Sequence, residues 1–186
     1  MAEECKSIRG GVALLDITGF SRFEVKGENA EAWLDKIFAT KLPKPGRARL
    51  AVMLSPTGKL KGDLTLLNWG DGTFWIMGSY YLRAWHMRWF NDQIQDGVSV
   101  RDLGDDICGF ALIGPNSSFI LQKVAEGDVS KMRFMDCKRL DIGLIQSHVA
   151  RMSVTGEMGF ELNCKMGDHI ALRRILLKAG ADPDIR

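Results

Sequence analysis

Two segments of this chain share one pattern, and it limits the possible folds more than any other feature. Phe23-Glu-Val-Lys-Gly27-Glu-Asn29 and Phe110-Ala-Leu-Ile-Gly114-Pro-Asn116 place Phe, Gly and Asn in register. Leu34 and Leu121, then Lys36 and Lys123, continue the match at the same spacing. Each copy reads as a strand, a glycine turn and a helix with asparagine at its N-cap. Two such copies in 186 residues predict two related α+β lobes, about 11–104 and 105–180, packed on each other within a single domain.

The remaining elements follow from local patterns. Ala30, Trp33, Leu34 and Ile37 have helical spacing, and Pro43 and Pro45 stop that helix. Strands are expected over 49–54, 59–67 and 74–77. The first two are joined by the turn Ser55-Pro-Thr-Gly58, which makes an antiparallel meander. An amphipathic helix is expected over 81–94, then strands over 98–102 and 108–113 and a helix over 116–124. A loop is expected around 127–133, strands over 144–152 and 158–163, and a closing helix over 169–179.

Charge and composition exclude several classes. The net charge is +2 and no Lys/Arg stripe occurs, so no nucleic-acid partner is expected. The mild positive balance suits a polyanionic ligand such as a polyglutamylated cofactor. No apolar run reaches membrane-spanning length, and Met-Ala-Glu-Glu-Cys-Lys does not read as a signal or transit peptide. A soluble, cytoplasmic protein is expected. Cys5, Cys108, Cys137 and Cys164 are isolated in sequence, as are His86, His148 and His169. No metal-ligand spacing exists, and Cys108 and Cys164 read as buried, reduced thiols in strands.

Two segments carry candidate chemistry. In Val154-Thr-Gly-Glu157-Met-Gly159-Phe-Glu161-Leu162, Met158, Phe160 and Leu162 alternate with Gly159, Glu161 and Asn163. One face is then apolar and the other carries a carboxylate, with Gly159 leaving room for something flat beside the backbone. A carboxylate accepts paired hydrogen bonds from an N–H and NH2 edge, as a pterin or guanine ring presents. The plainer alternative is an edge strand with a solvated polar face. In Gly58-Lys-Leu-Lys-Gly62-Asp63-Leu-Thr-Leu66, the alternation puts Leu60, Leu64 and Leu66 on one face and Lys61, Asp63 and Thr65 on the other. Asp63 is either part of a weak surface ion pair or a carboxylate that manages a proton in a cleft.

Six motifs in order carry a family resemblance. They are Gly11-Val-Ala-Leu-Leu-Asp16, Phe23-Glu-Val-Lys-Gly27, Met53-Leu-Ser-Pro-Thr-Gly58, Gly62-Asp63-Leu-Thr65, Ile113-Gly-Pro-Asn116 and Thr155-Gly-Glu-Met-Gly-Phe-Glu161-Leu162. Together they resemble the aminomethyltransferase folate-binding family, which includes the glycine-cleavage T protein and the C-terminal halves of dimethylglycine and sarcosine dehydrogenases. The stretch from Gly78-Ser79 through His86-Met-Arg-Trp89 is similar to the dehydrogenase branch. The resemblance runs from about Gly11 to Gly180.

It implies an α+β fold of two interlocked strand–helix lobes with antiparallel sheets, without the family's C-terminal β-barrel. It implies tetrahydrofolate as cofactor and one-carbon transfer from a small amine donor, forming 5,10-methylenetetrahydrofolate. Asp63 would lie near N10 of the folate, and Glu161 would hold the pterin. Glu157 would shape the adjoining loop or stay solvated. Leu50 and Val154 stand where many members have tyrosines that line the folate site. The family's next segment, which contains an arginine that helps hold folate, is expected to be missing after Ala181-Asp-Pro-Asp-Ile-Arg186. No dinucleotide fingerprint occurs, so no flavin domain is expected in this chain and a flavoprotein partner would have to supply that group.

Two rival readings follow from the same resemblance. One is a non-catalytic subunit like the short gamma subunit of heterotetrameric sarcosine oxidases. The other is an inactive fragment of a dehydrogenase-like protein. His86, between Trp85 and Trp89, reads as a surface or interface histidine. Tyr80, Tyr81, Trp85 and Trp89 read as core or subunit contacts rather than as a stacking platform.

Overall fold

A computed structural model describes residues 2–181. The terminal Asp182–Arg186, where the chain was expected to stop short of the family's next segment, lies outside the described residues. The chain divides into two compact units. Gly19–Asp105 form one, and the chain before Gly19 joins the chain after Asp105 to form the other.

The elements in order are α1 (Ala2–Gly10), β1 (Ala13–Asp16), β2 (Ser21–Lys26), α2 (Ala30–Ile37), β3 (Arg47–Leu54), β4 (Leu60–Asn68) and β5 (Phe74–Gly78). There follow a 3-10 turn at Tyr80–Leu82, α3 (Arg83–Asp92), β6 (Ser99–Asp102), β7 (Ile107–Ile113) and α4 (Ser117–Val124). The chain continues with β8 (Cys137–Ile142), β9 (Ile145–Ala150), β10 (Gly159–Lys165), a 3-10 turn at Met166–Asp168, and α5 (His169–Gly180). This is the expected α+β architecture with two antiparallel sheets. Among the described residues neither sheet closes into a barrel, and no helix is long and apolar enough to cross a membrane.

The first sheet has the order β3-β4-β5-β2-β6 and the second β1-β7-β10-β9-β8. Read from opposite ends, the two orders are the same topology. In each, a three-strand meander is followed by the strand that leads into a helix, then by an edge strand. The edge strands are exchanged. β1 pairs with β7 rather than with β2, and β6 pairs with β2 rather than with β7. The lobe expected to begin at residue 11 therefore begins at Gly19. Strand pairing over so long a sequence separation leaves no local signal in the sequence.

One layer of helix covers one face of each sheet. Ala30, Trp33, Leu34 and Ile37 of α2 and Phe90 of α3 pack with Phe23, Val25, Leu64, Leu66 and Ile76. Ile120 and Leu121 of α4 and Leu172 and Leu176 of α5 pack with Phe110, Leu112, Phe160 and Leu162. These stripes are apolar because a helix on a sheet must bury one face.

The repeat holds in detail. Gly27 and Gly114 have φ of 128° and 130°, which an L side chain rarely adopts. A Cβ on either would overlap the carbonyl oxygen of Gly97 or of Gly11. Asn29 N–H donates to Gly97 O and Asn116 N–H to Gly11 O, both at 3.2 Å. The expected asparagine caps are not made. Neither side chain caps its helix, and Asn29 Nδ2 donates instead to Asp96 O at 3.0 Å. The asparagines tie the helix start to the loop before the exchanged strand.

Three elements differ from the sequence reading. β8 was not anticipated, and the helix expected over 81–94 is a 3-10 turn followed by a shorter α-helix. α1 was also unanticipated. None of its residues is buried, so it lacks the apolar stripe that marks a packed helix.

Candidate functional site

Glu161 lies on β10, which is hydrogen-bonded to β7 on one side and β9 on the other. It is therefore on a central strand, not on an edge. Phe160, Leu162 and Cys164 face the helices, and Gly159, Glu161 and Asn163 share the opposite face. That face is not solvated here. Glu161 is 5% exposed and Asn163 is fully buried. The cross-strand neighbours of Glu161 are Ala111 and Ala150, so the carboxylate rises between methyl groups rather than between bulky side chains. A carboxylate so buried requires hydrogen-bond donors around it.

The room at Gly159 is used by the chain itself. A Cβ there would sit 2.9 Å from Ser153 Cβ and 3.2 Å from Met152 O. The expected approach of a flat ligand to this backbone is replaced by the loop that precedes β10. Ser153 Oγ and Thr155 Oγ1 are 2.9 Å apart, and Met158 O accepts the N–H of Gly114 at 2.7 Å, which pins the loop to β7. Val154 is 76% exposed at the tip of that loop, and Glu157 is half-buried behind it.

Asp63 and Leu50 lie on the other unit. Asp63 pairs with Val52 and Leu50 with Thr65, so all four share the face away from α2 and α3. Asp63 is exposed, and Leu50 is 58% exposed. Lys61 does not belong to this face. The register of β3 and β4 slips between Met53 and Leu54, leaving Lys61 as the extra residue of a bulge. Its Nζ lies 5.0 Å from the ring centroids of both Trp85 and Trp89 on α3. The same slip leaves Leu60 exposed instead of in the core.

His86 is not on the surface. It is 1% exposed, Gly62 packs against its Nε2, and neither ring nitrogen has a hydrogen-bond partner. Burial pushes its pKa below the usual imidazole value, only partly offset by the nearby Lys61 backbone. Trp85 and Trp89 stack at 6.3 Å and are half-buried, while Tyr80 and Tyr81 are exposed. Cys108 and Cys164, far apart in sequence, are direct cross-strand partners with sulfurs 3.4 Å apart. Among the described residues no group of three His, Cys, Asp or Glu side chains is placed to hold a metal.

The sequence reading missed Arg139 and His148 as site neighbours. His148 pairs with Asn163, and Arg139 pairs with His148, so the polar face of β10 continues outward across β9 and β8. The alternation Cys137, Arg139, Asp141 before the Gly143 turn was the available signal.

Comparison with known proteins agrees with this fold. The chain is 28% identical over 190 residues to human mitochondrial dimethylglycine dehydrogenase, covering all of this chain and 22% of that protein. It is 29% identical over 186 residues to the aminomethyltransferase of Anoxybacillus flavithermus, covering 98% of this chain and 51% of that protein. It thus spans about a fifth to a half of the length of these relatives. The glycine cleavage system aminomethyltransferase T of Bartonella henselae superposes with a TM-score of 0.86 at 22% identity, over 99% of this chain and 49% of that one. A chain of the heterotetrameric sarcosine oxidase of Corynebacterium sp. U-96 superposes with a TM-score of 0.74 at 18% identity, over 97% of this chain and 90% of that one. The model of the GCVT N-terminal domain matches residues 1–186, and the chain belongs to that family.

Proposed function

We propose that this chain binds tetrahydrofolate and takes part in transfer of a one-carbon unit from a small amine donor. The observation that carries the reading is Glu161: a carboxylate on a central strand, 5% exposed, with only alanine methyl groups as cross-strand neighbours. Burying an acid is costly unless hydrogen-bond donors meet it. A pterin edge fits it because a carboxylate accepts its N–H and NH2 as a pair. When bound, tetrahydrofolate supplies the amine nitrogens that receive the one-carbon unit.

Asp63 has the second role. Its exposed carboxylate on the face of β4 accepts a proton from a reacting amine or holds that amine while it is cationic. Glu157 and Val154 belong to the loop ahead of Glu161 and shape its approach. Leu50 lines the face that carries Asp63. The amine donor and any flavoprotein partner belong to this proposal too.

Calorimetric titration with tetrahydrofolate under anaerobic, reducing conditions tests it. Glu161→Gln is expected to weaken binding by about ten- to a hundredfold, as loss of a charged hydrogen-bond acceptor does. Asp63→Asn is expected to keep binding and lose about 10²–10⁴ of transfer rate. Equal affinity in wild type and Glu161→Gln would sink the assignment.

A second reading is a non-catalytic subunit of a sarcosine oxidase-like complex. Leu50 and Val154 favour it, because both expose aliphatic side chains where tyrosines would offer stacking and hydroxyl contacts. Absence of tetrahydrofolate binding at millimolar concentration, together with stable association with a flavoprotein, would favour it over the first.

A further inference from the structure

The two units match strand for strand, so each acts as a control for the other. Ile76 pairs with Phe23 as Leu162 pairs with Phe110, which makes Trp75 the counterpart of Glu161 and Met77 that of Asn163. Thr65 pairs with Met77 as His148 pairs with Asn163. Leu50 pairs with Thr65 as Arg139 pairs with His148.

The burial gradient is also the same. Trp75 and Met77 are buried, Thr65 is half-buried and Leu50 is exposed. Glu161 and Asn163 are buried, His148 is half-buried and Arg139 is exposed. One fold thus carries Trp, Met, Thr and Leu along this path in one unit, and Glu, Asn, His and Arg in the other. At these four positions the sister sheet carries no charge; its charged residues on this face, Arg22 and Glu24, lie on β2 instead. A continuous polar path at these positions is a property of one unit alone, and burying it stabilises a sheet less than the apolar set does.

The chemistry of the path has a direction. Arg139 Nε donates to His148 Nε2 at 3.0 Å. Because a guanidinium only donates, that imidazole nitrogen carries no proton and the ring's proton lies on Nδ1. The bond orients the plane of the Arg139 fork. From Glu161 to Arg139 the path crosses two strand spacings and two residues along a strand, about 12 Å. One end is a carboxylate, which can only accept, and the other a guanidinium, which can only donate.

We propose that Arg139, positioned by His148, forms a carboxylate subsite of the Glu161 site. It would receive the carboxylate end of a ligand while Glu161 holds a ring edge. This rests on the pterin reading of Glu161. The carboxylate has two sources: the acylglutamate tail of a folate, or an amino-acid amine donor such as sarcosine.

The test is calorimetry on wild type, Arg139→Met and Arg139→Lys with three probes. They are tetrahydrofolate, the tail-less 6-methyltetrahydropterin, and sarcosine added to protein saturated with tetrahydrofolate. If the tail is the source, Arg139→Met weakens tetrahydrofolate by about tenfold and leaves the tail-less pterin unchanged. If the donor is the source, both pterins keep their affinity and sarcosine weakens by a similar factor. In either case Arg139→Lys keeps part of the affinity, since a point charge replaces a planar fork. His148→Leu, which frees the fork to turn, weakens the same probe less than Arg139→Met does. Wild-type affinity for all three probes in Arg139→Met overturns the subsite and leaves the Glu161 reading intact. Failure of both pterins to bind wild type removes the Glu161 reading and the subsite with it.

Discussion

Asp16 Oδ2 lies 2.8 Å from Nε2 of His169, the first residue of α5, and Asp16 Oδ1 accepts the N–H of Thr18 at 2.8 Å. The other unit repeats this arrangement with a different cation. Asp102 Oδ2 accepts from Nε of Arg83, the first residue of α3, at 2.6 Å, and its Oδ1 accepts the N–H of Gly104 at 2.9 Å. In both units the aspartate ends an exchanged edge strand and ties it to the start of a helix. The contact holds together the part of each sheet that comes from the distant end of the repeat.

Asp16 should therefore give the exchanged strand a pH-dependent hold. Burial pushes its pKa up, but the Thr18 hydroxyl and amide and His169 outweigh that and leave it below the ordinary carboxylate value. A depressed carboxylate stabilises the fold above its unfolded pKa, and that stability is lost as pH falls through the folded pKa. Asp16 is half exposed, so solvent screening keeps the contribution small. Asp16→Ala is expected to cost about 1 kcal/mol at pH 7 by urea unfolding. The gap from wild type should close as pH falls below 3.8, the ordinary value. A gap that stays constant down to the acid transition would contradict the assigned pair.

Much of this fold was legible because it is local. Ala30, Trp33, Leu34 and Ile37 announce α2 by spacing, and all four are buried. Gly27 and Gly114 announce the repeat because only glycine fits their backbone. The exchange of β1 and β6 was not legible, since period-two patterning identifies a strand but not its partner. Glu161 was read correctly as one member of an alternating strand. Its burial depends on β10 being central, which is a property of topology. Lys61 was misplaced because a bulge shifts the side-chain period by one residue and leaves no mark in an otherwise alternating run.

His86 should make the first unit acid-sensitive. It is buried without a hydrogen-bond partner, and desolvation depresses its pKa. The unfolded chain then binds a proton more readily than the folded one, so stability is full above the unfolded value of 6.5 and falls as pH drops through the folded pKa. His86→Leu removes the titrating group and the two unpartnered nitrogens. It is expected to stay within about 1 kcal/mol of wild type at pH 7.5. Between pH 7 and 5 its stability should fall less steeply, as read from denaturation midpoints. Parallel pH slopes in the two proteins would rule out His86 as the source.

Thiol reactivity should separate one cysteine from the other three. Cys5 is exposed, whereas Cys108, Cys137 and Cys164 are buried. Under reducing preparation and native conditions, a chromogenic disulfide reagent should titrate one thiol quickly. The full set of four should appear only on unfolding, because sheet-core thiols react through opening of the strands. Rapid native reaction of Cys108 or Cys164 would mean that the β7–β10 pairing opens far more often than a central strand pair should.

Lys61 and Asp63 should be energetically independent, although they lie two residues apart in one strand. Simple alternation would set them on one face as an ion pair, but the bulge turns Lys61 onto Trp85 and Trp89 and leaves Asp63 on the far face of β4. Lys61→Met should then cost about 0.5–1 kcal/mol, the range of a half-exposed cation–π contact, and should shift tryptophan emission. Asp63→Asn should change stability by no more than about 0.5 kcal/mol, as a surface substitution away from special contacts does. The double variant should equal the sum of the singles within about 0.5 kcal/mol. This independence matters for function. If Asp63→Asn leaves the fold untouched, loss of transfer activity in that variant reports the carboxylate's chemistry alone, and a large coupling with Lys61 would remove that inference.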